Sequence, residues 1–378
     1  MTSGPLALLA CCALGMLATS AKGEAPSPFS PTPAQNPSFI RLLAPPGIFD
    51  SSVFADYETS GGLAVAYDSY DDPSTIAFDE ATKSYDLLVL PAPAIARGIA
   101  EGALQALDPE LIDRLRHDTS IAARALSHFD KTQSFSLPAD WTLLGIVYDA
   151  KKVLPRLGRV PAWASIFKPD EQRKILDCGL ALPDNADAMF FGAWRALNVD
   201  PMKAGDMNLA PGNDLVVRAR RTARSFAARD LVGILASGSA CIGVATEDVA
   251  ASARARSAGP ADADIQFIAP SEGSAIALDT FAIPKDAHHV AEALALIRFL
   301  LRPDIAEENA KASGLRRADD TSSDQQLRIA EPLGAYEGNI GSRVQDLWSK
   351  ARNFTPPELP PRRPQTNPSG QPVNRLTP

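Results

Sequence analysis

The run Tyr85–Leu90 (Tyr-Asp-Leu-Leu-Val-Leu) constrains this chain most, because Leu87 to Leu90 are apolar without alternation. A strand of that kind is buried on both faces, as in a parallel sheet covered by helices. The segments around it fit the same layout. Phe39–Leu43 and Leu63–Tyr67 read as short strands, separated by a helical stretch from Ser51 to Glu58 that Gly61-Gly62 breaks. An alanine-rich helix, Ala94–Glu101, follows the buried run and ends at Gly102. The alternation resumes with strand Trp141–Tyr148, a short helix in Pro161–Pro169, strand Leu180–Pro183 and helix Ala186–Leu197. A basic helix is expected over Leu215–Ala228 and another helix over Val290–Leu301. Strand and helix in turn predict an α/β fold.

The 378 residues leave room for two domains, and 45% hydrophobic with 22% charged residues is an ordinary globular balance. A net charge of -8 excludes a nucleic-acid role, since phosphate binding needs a basic surface. The arginines of the 215–228 helix are read as a solvated face. The apolar run Leu6–Leu17, followed by small residues at Ala18–Ala21, reads as a signal peptide over 1–21 and implies export, although no Lys or Arg precedes it. Leu8–Cys11 also has the form of a lipoprotein box but falls too early in the run. Residues 22–37 form a Pro/Ser/Ala linker, and the Pro-rich tail 355–378 has too little apolar surface to fold.

Four cysteines are present, and removal of the leader takes Cys11 and Cys12 with it. Cys178 and Cys241 remain, and an oxidising compartment favours their pairing. Such a bridge closes a loop of about 60 residues and contributes roughly 3–4 kcal/mol in the chain-entropy picture. No CxxC or paired-histidine spacing accompanies them, so neither a metal nor a cofactor is expected. The four histidines, His117, His128, His288 and His289, fit no ligand pattern, with His288-His289 expected at an exposed helix start. No nucleophile–base pair stands out, so the chain is not read as an enzyme.

Asp279 carries the functional signal. It interrupts the apolar strand Ser274–Pro284 between Leu278 and Phe281, where a carboxylate is costly to desolvate unless a cation meets it. A strand-end Asp commonly caps a turn or pairs with an arginine. Here Glu247-Asp248 follows a second apolar strand, Cys241–Ala245, and two strands ending in acids suit a pocket for an amine.

Several stretches in order resemble the periplasmic solute-binding proteins of ABC importers, in particular the putrescine/spermidine-binding branch. They are Tyr85–Leu90 running on to Gly102–Asp108, Leu137–Tyr148, Trp163–Pro169, Leu235–Ala245, Glu272–Pro284 and Phe299–Asp304. The resemblance implies a two-lobed (type II) α/β fold with the ligand in a cleft between lobes. Lobe one is expected over 38–137 plus 250–301 and lobe two over 138–249 plus 303–351. Hinge crossings are expected near Pro138–Trp141 and Thr246–Val249. It also implies a monomer that closes on a small cationic solute and is read by a membrane permease, and it supports the Cys178–Cys241 bridge independently.

By the same resemblance Asp279 and Asp248 hold the ammonium groups, with Glu247, Thr246 and Asp187 as further contacts. Pro46 and Gly47, within Pro45–Ile48, shape the rim. The departures concern the aromatic box that holds methylene chains. The family's Trp-Ser-Asp-Tyr becomes Pro45–Ile48, a pocket Trp becomes Thr246, and a late Tyr becomes Leu315. A pocket Ser becomes Pro93, and an acidic helix position becomes Ala188, with Asp184 or Asp187 as stand-ins. Each lost ring forfeits ~0.5–2 kcal/mol of cation–π energy. A degenerate module acting in signalling or protein interaction is therefore the alternative to transport.

Overall fold

A computed structural model describes residues 39–115, 120–257, 263–322, 327 and 330–353 of the protein. The leader, the linker, His117 and the Pro-rich tail lie outside the described residues. The expected alternation is present. Strands β1 (Phe39–Ala44), β2 (Ala64–Ser69) and β3 (Leu87–Pro91) are parallel, with helices Ser51–Thr59 and Phe78–Ser84 between them. Leu87, Leu88, Val89 and Leu90 are all fully buried, as the unbroken run requires.

Asp86, at the start of that run, accepts hydrogen bonds from the backbone N–H groups of Arg41, His288 and His289, each at 3.0 Å. It thereby satisfies one donor of β1 and two at the start of helix Val290–Leu300. This corrects the expectation for the histidine pair: His288 is exposed, but His289 is buried with Nδ1 3.4 Å from Asp86.

Two long strands organise the rest. β4 (Ser136–Asp149) and the later strand Ala275–Ala282 are antiparallel from Ser136↔Ala282 to Leu144↔Ala275, with a register shift between Pro138 and Asp140. Further strands are β5 (Leu180–Pro183), β6 (Ser225–Ala228), β7 (Ile242–Thr246) and β8 (Ile265–Ile268), so Ala275–Ala282 is β9. The first end of β4 and the last end of β9 lie with β3, β1 and β2. The other end of β4 pairs with β7 and β8, and β7 continues through β5 to β6. The two-residue strands β10 (Arg316–Arg317) and β11 (Glu331–Pro332) add to β4 at Asp140–Trp141 and to the start of β9 at Ala275–Ile276.

Two separate cores follow from that arrangement. Ile40, Leu42, Val89, Leu137, Phe281, Leu296 and Phe299 make one. Leu144, Trp163, Phe167, Phe190, Trp194, Val244 and Trp348 make the other. These are two lobes, with β4 and β9 running through both.

The structure redraws the expected lobe boundaries. Helix Glu247–Arg256 packs Ala250 and Ala253 against Val147, Ala181, Leu235 and Ile265, so it stays with the second lobe together with β8. The return crossing is β9, not Val249. Helix Pro303–Ser313 buries Ile305 in the first core, whereas helix Ile340–Asn353 buries Ile340, Val344 and Trp348 in the second. The basic helix spans Asp206–Thr222, and β6 occupies the end of the stretch expected to be helical. Cys178 and Cys241 are bonded, with Cα atoms 5.5 Å apart, and tie the entry to β5 to the entry to its neighbour β7.

Candidate ligand-binding site

The acid of β9 meets a second acid across the sheet. Asp279 pairs in register with Asp140 of β4 and, on its other side, with Pro91 of β3. Directly opposed residues of an antiparallel pair share a face, so both carboxyl groups project from one side of the sheet. Thr142, two residues on from Asp140 and so on the same face, donates its hydroxyl to Asp248 Oδ1 at 2.9 Å. Asp248 reaches the site from the first turn of helix Glu247–Arg256. Three acids from two strands and one helix therefore converge where β4 and β9 pass between lobes.

Their environment is hostile to negative charge. Burial pushes Asp279 up to about 7, with the nearby Asp248 adding to the effect. Asp140 is raised well above the ordinary carboxylate range, by burial first and then by Asp279 and Asp248. Its Oδ1 is buried and without a hydrogen-bond partner among the described residues. No arginine or lysine forms an ion pair with any of the three among the described residues. An uncompensated acidic cluster of this kind is stabilised by an incoming cation, which supplies both charge and N–H donors. Among the described residues no group of three or more His, Cys, Asp or Glu is arranged to hold a metal ion.

Tyrosines border the cluster. The Tyr70 hydroxyl donates to the Val89 carbonyl at 3.2 Å, and burial followed by the charges of Asp279 and Asp140 raises its ionisation. Tyr67 neighbours Tyr70 and donates to the Pro45 carbonyl. Pro46 and Gly47 stand exposed in that same turn, where Gly47 adopts the left-handed φ of 77°. Thr246 caps helix Glu247–Arg256 by position alone, its side chain making no capping bond.

Asp187 forms another acidic point, on helix Ala186–Ala196 of the second lobe. Burial lifts it to about 6, and a hydrogen bond from the Tyr336 hydroxyl at 3.0 Å acts the other way. A Cβ on Gly334, which has φ +82°, would lie 2.6 Å from Pro93 Cγ and 3.2 Å from Asp187 Oδ2. Pro93 belongs to the first lobe and lies two residues beyond Pro91, the partner of Asp279. Asp187 thus borders the same gap between lobes as the Asp279 cluster.

Two of the acidic positions are paired within the chain. Arg316 donates to both carboxylate oxygens of Glu247, at 3.0 and 3.1 Å. Asp184 accepts from Trp348 Nε1 at 3.1 Å and pairs with Arg352 at 3.2 Å. The sequence reading missed Asp140, Tyr70 and Tyr336. Asp140 carries the same signal as Asp279, an acid inside the apolar stretch Leu137–Leu144, and that criterion applied to β4 finds it. No local pattern marks the two tyrosines.

The family model of the bacterial extracellular solute-binding proteins matches residues 52–327. The putrescine-binding periplasmic protein PotF of Escherichia coli is 30% identical over 260 residues, covering 66% of this chain and 70% of that protein. The putrescine-binding periplasmic protein SpuD of Pseudomonas aeruginosa is 29% identical over 254 residues, covering 65% and 69%. Among solved structures, the spermidine/putrescine ABC transporter substrate-binding protein PotD of Streptococcus pneumoniae superposes with a TM-score of 0.65 at 19% identity, covering 83% and 98%. MotA of Agrobacterium tumefaciens, in complex with glucopine, gives 0.66 at 11% identity, covering 83% and 99%. This chain is a two-lobed α/β protein that belongs to the family of bacterial extracellular solute-binding proteins.

Proposed function

We infer that this protein is the extracytoplasmic substrate-binding component of an ABC importer and that it binds a small organic cation, a polyamine or related amine, between its lobes. The observation that carries the reading is the recessed pair Asp279 and Asp248, which no basic side chain neutralises among the described residues. Similarity to polyamine-binding relatives points the same way. Asp279 and Asp248 take one ammonium group through charge-assisted hydrogen bonds. Asp187, oriented by Tyr336, takes a second at the far side, and an α,ω-diamine satisfies both. Tyr70 and Tyr67 supply rings beside the acids, in place of the aromatic positions that the resemblance found empty. Thr246 lies at the mouth, and the turn of Pro46 and Gly47 forms the rim. The protein works as a monomer in the periplasm, and its closed form is what the permease reads. Closure requires a ligand that binds the closed state more tightly than the open one. Isothermal titration against putrescine, cadaverine, agmatine and spermidine tests the reading, with micromolar or tighter binding expected for at least one. Absence of binding by every one of them rejects it.

A further inference from the structure

Asp140 stands apart from the two acids that the resemblance assigns. It sits on β4 directly across from Asp279, and its Oδ1 is buried without a partner among the described residues. An ionised carboxylate in that position has no donor on one buried oxygen among the described residues, and it faces other carboxylates. A protonated carboxyl avoids both penalties.

The charged groups of every element packed around it are accounted for. Asp279 of β9 and Asp248 of helix Glu247–Arg256 both oppose ionisation. The β10 residues Arg316 and Arg317 are the register partners of Trp141 and Asp140, but their guanidinium groups are engaged elsewhere. Arg316 lies over the Trp141 ring and pairs with Glu247 and Asp320, while Arg317 pairs with Asp319 and Glu307. Tyr70 and its neighbour Tyr67 are phenols raised in ionisation, so they are neutral beside the acids.

We propose that Asp140 is a third acid of the cation site, which keeps its proton while the cleft is empty and gives it up to solvent when a cationic ligand enters. This rests on the cation-binding reading and adds to it a ligand-linked proton. The exchange balances: one ammonium charge enters and one proton leaves to the buffer, through ionisation of a carboxyl oxygen with no other bond changed. Ligand affinity must then rise with pH, because the proton and the cation compete for the same carboxyl groups. At saturation of the effect, Kd changes about tenfold per pH unit for each proton displaced.

Two measurements test the inference separately from the reading beneath it. In the first, the Cγ resonances of aspartate-labelled protein are followed from pH 4 to 9, assigned through Asp140→Asn and Asp279→Asn. In ligand-free protein the Asp140 carbon should remain in its protonated position at neutral pH, and putrescine should move it to the ionised one. An Asp140 carbon that titrates with ordinary aspartates, or that putrescine leaves unmoved, overturns the proposal. In the second, putrescine is titrated at pH 7 in buffers of different ionisation enthalpy. Wild-type protein should release at least one proton per ligand and Asp140→Asn about one fewer, with a flatter dependence of Kd on pH. Binding with no buffer-dependent heat overturns the proton linkage while leaving the cation reading in place. Failure of every amine to bind overturns both, whatever the resonances show.

Discussion

Glu247 and Asp248 begin the same helix, yet Arg316 grips the first through both oxygens while the second accepts only the Thr142 hydroxyl. One acid is tied to β10, and its neighbour forms no ion pair among the described residues. The difference has a measurable consequence. Asp248→Asn should weaken a cationic ligand by about 2 kcal/mol or more, roughly thirtyfold in Kd, with little change in melting temperature. Glu247→Gln should do the reverse, costing about 1 kcal/mol of stability and leaving Kd nearly constant, since its ion pair is part-exposed. Calorimetric titration and thermal melts on both variants check the separation. Equal loss of affinity in the two would place Glu247 back in the site.

Asp279 couples the site to the stability of the ligand-free protein. Its carboxyl is raised from 3.8 to about 7, so the folded state holds a proton that the unfolded chain has lost between those values. Folding stability contributed by this group is therefore highest below pH 4 and falls as pH rises through 7, by at most about 4 kcal/mol. Asp279→Asn removes that dependence. The variant should overtake the wild type in denaturant midpoint as pH climbs from 4 to 8, while its affinity for a diamine falls by about 2–5 kcal/mol. Parallel stability curves for the two proteins over that range would falsify the buried placement.

The Tyr336 hydroxyl keeps Asp187 ionisable near neutral pH, because it donates to the charged form. Tyr336→Phe should raise Asp187 above its present value of about 6 and leave more of it protonated at pH 7. Diamine binding should weaken by about 1.5–3 kcal/mol at pH 7 and recover in part towards pH 8.5. A loss that is independent of pH would assign Tyr336 a packing role against Trp194, whose ring it meets edge-on at 5.6 Å.

The Cys178–Cys241 bridge joins two strands that are already neighbours, so its effect falls mainly on the unfolded chain. Cys178→Ala with Cys241→Ala should lower stability by about 3–4 kcal/mol in the chain-entropy account and leave Kd within about twofold. Chemical denaturation of the oxidised protein and the double variant measures the first quantity, and titration the second.

What could be read from the residues divides along local and non-local lines. Leu180–Pro183 was read to the residue, and helix Ala186–Ala196 to within one, because an apolar strand and an Asn-capped amphipathic helix are patterns of a few neighbours. Residues 303–313 were expected with the second lobe, whereas the helix they form buries Ile305 in the first core, a matter of contacts far apart in the chain. In the site, Asp279 was legible as an acid in an apolar strand. The pairing that makes it unusual, Asp140 across the sheet, depends on the register of strands more than 130 residues apart. Asp184 and Asp187 looked interchangeable in the sequence. Arg352, 168 residues from Asp184, distinguishes them by pairing with Asp184.

That same arginine spans the lobes. Arg352 Nη1 lies 3.2 Å from Asp184 in the second lobe and 3.4 Å from Asp72, which caps the turn Pro73–Thr75 in the first. A neighbouring contact, Arg229 to Asp71 at 2.8 Å, also crosses between lobes, but both of its side chains are 72% exposed. Exposed pairs of that kind contribute little, whereas a part-buried arginine shared by two carboxylates is more strongly held. Arg352→Gln should therefore weaken ligand binding by about 1 kcal/mol, some fivefold, if this contact between the lobes favours the ligand-bound arrangement. Arg229→Gln should leave Kd within error. The Arg352 effect should shrink at 0.5 M salt, where screening already weakens the wild-type contact. A salt-independent loss would mean that Arg352 acts only by anchoring its own helix through Asp184.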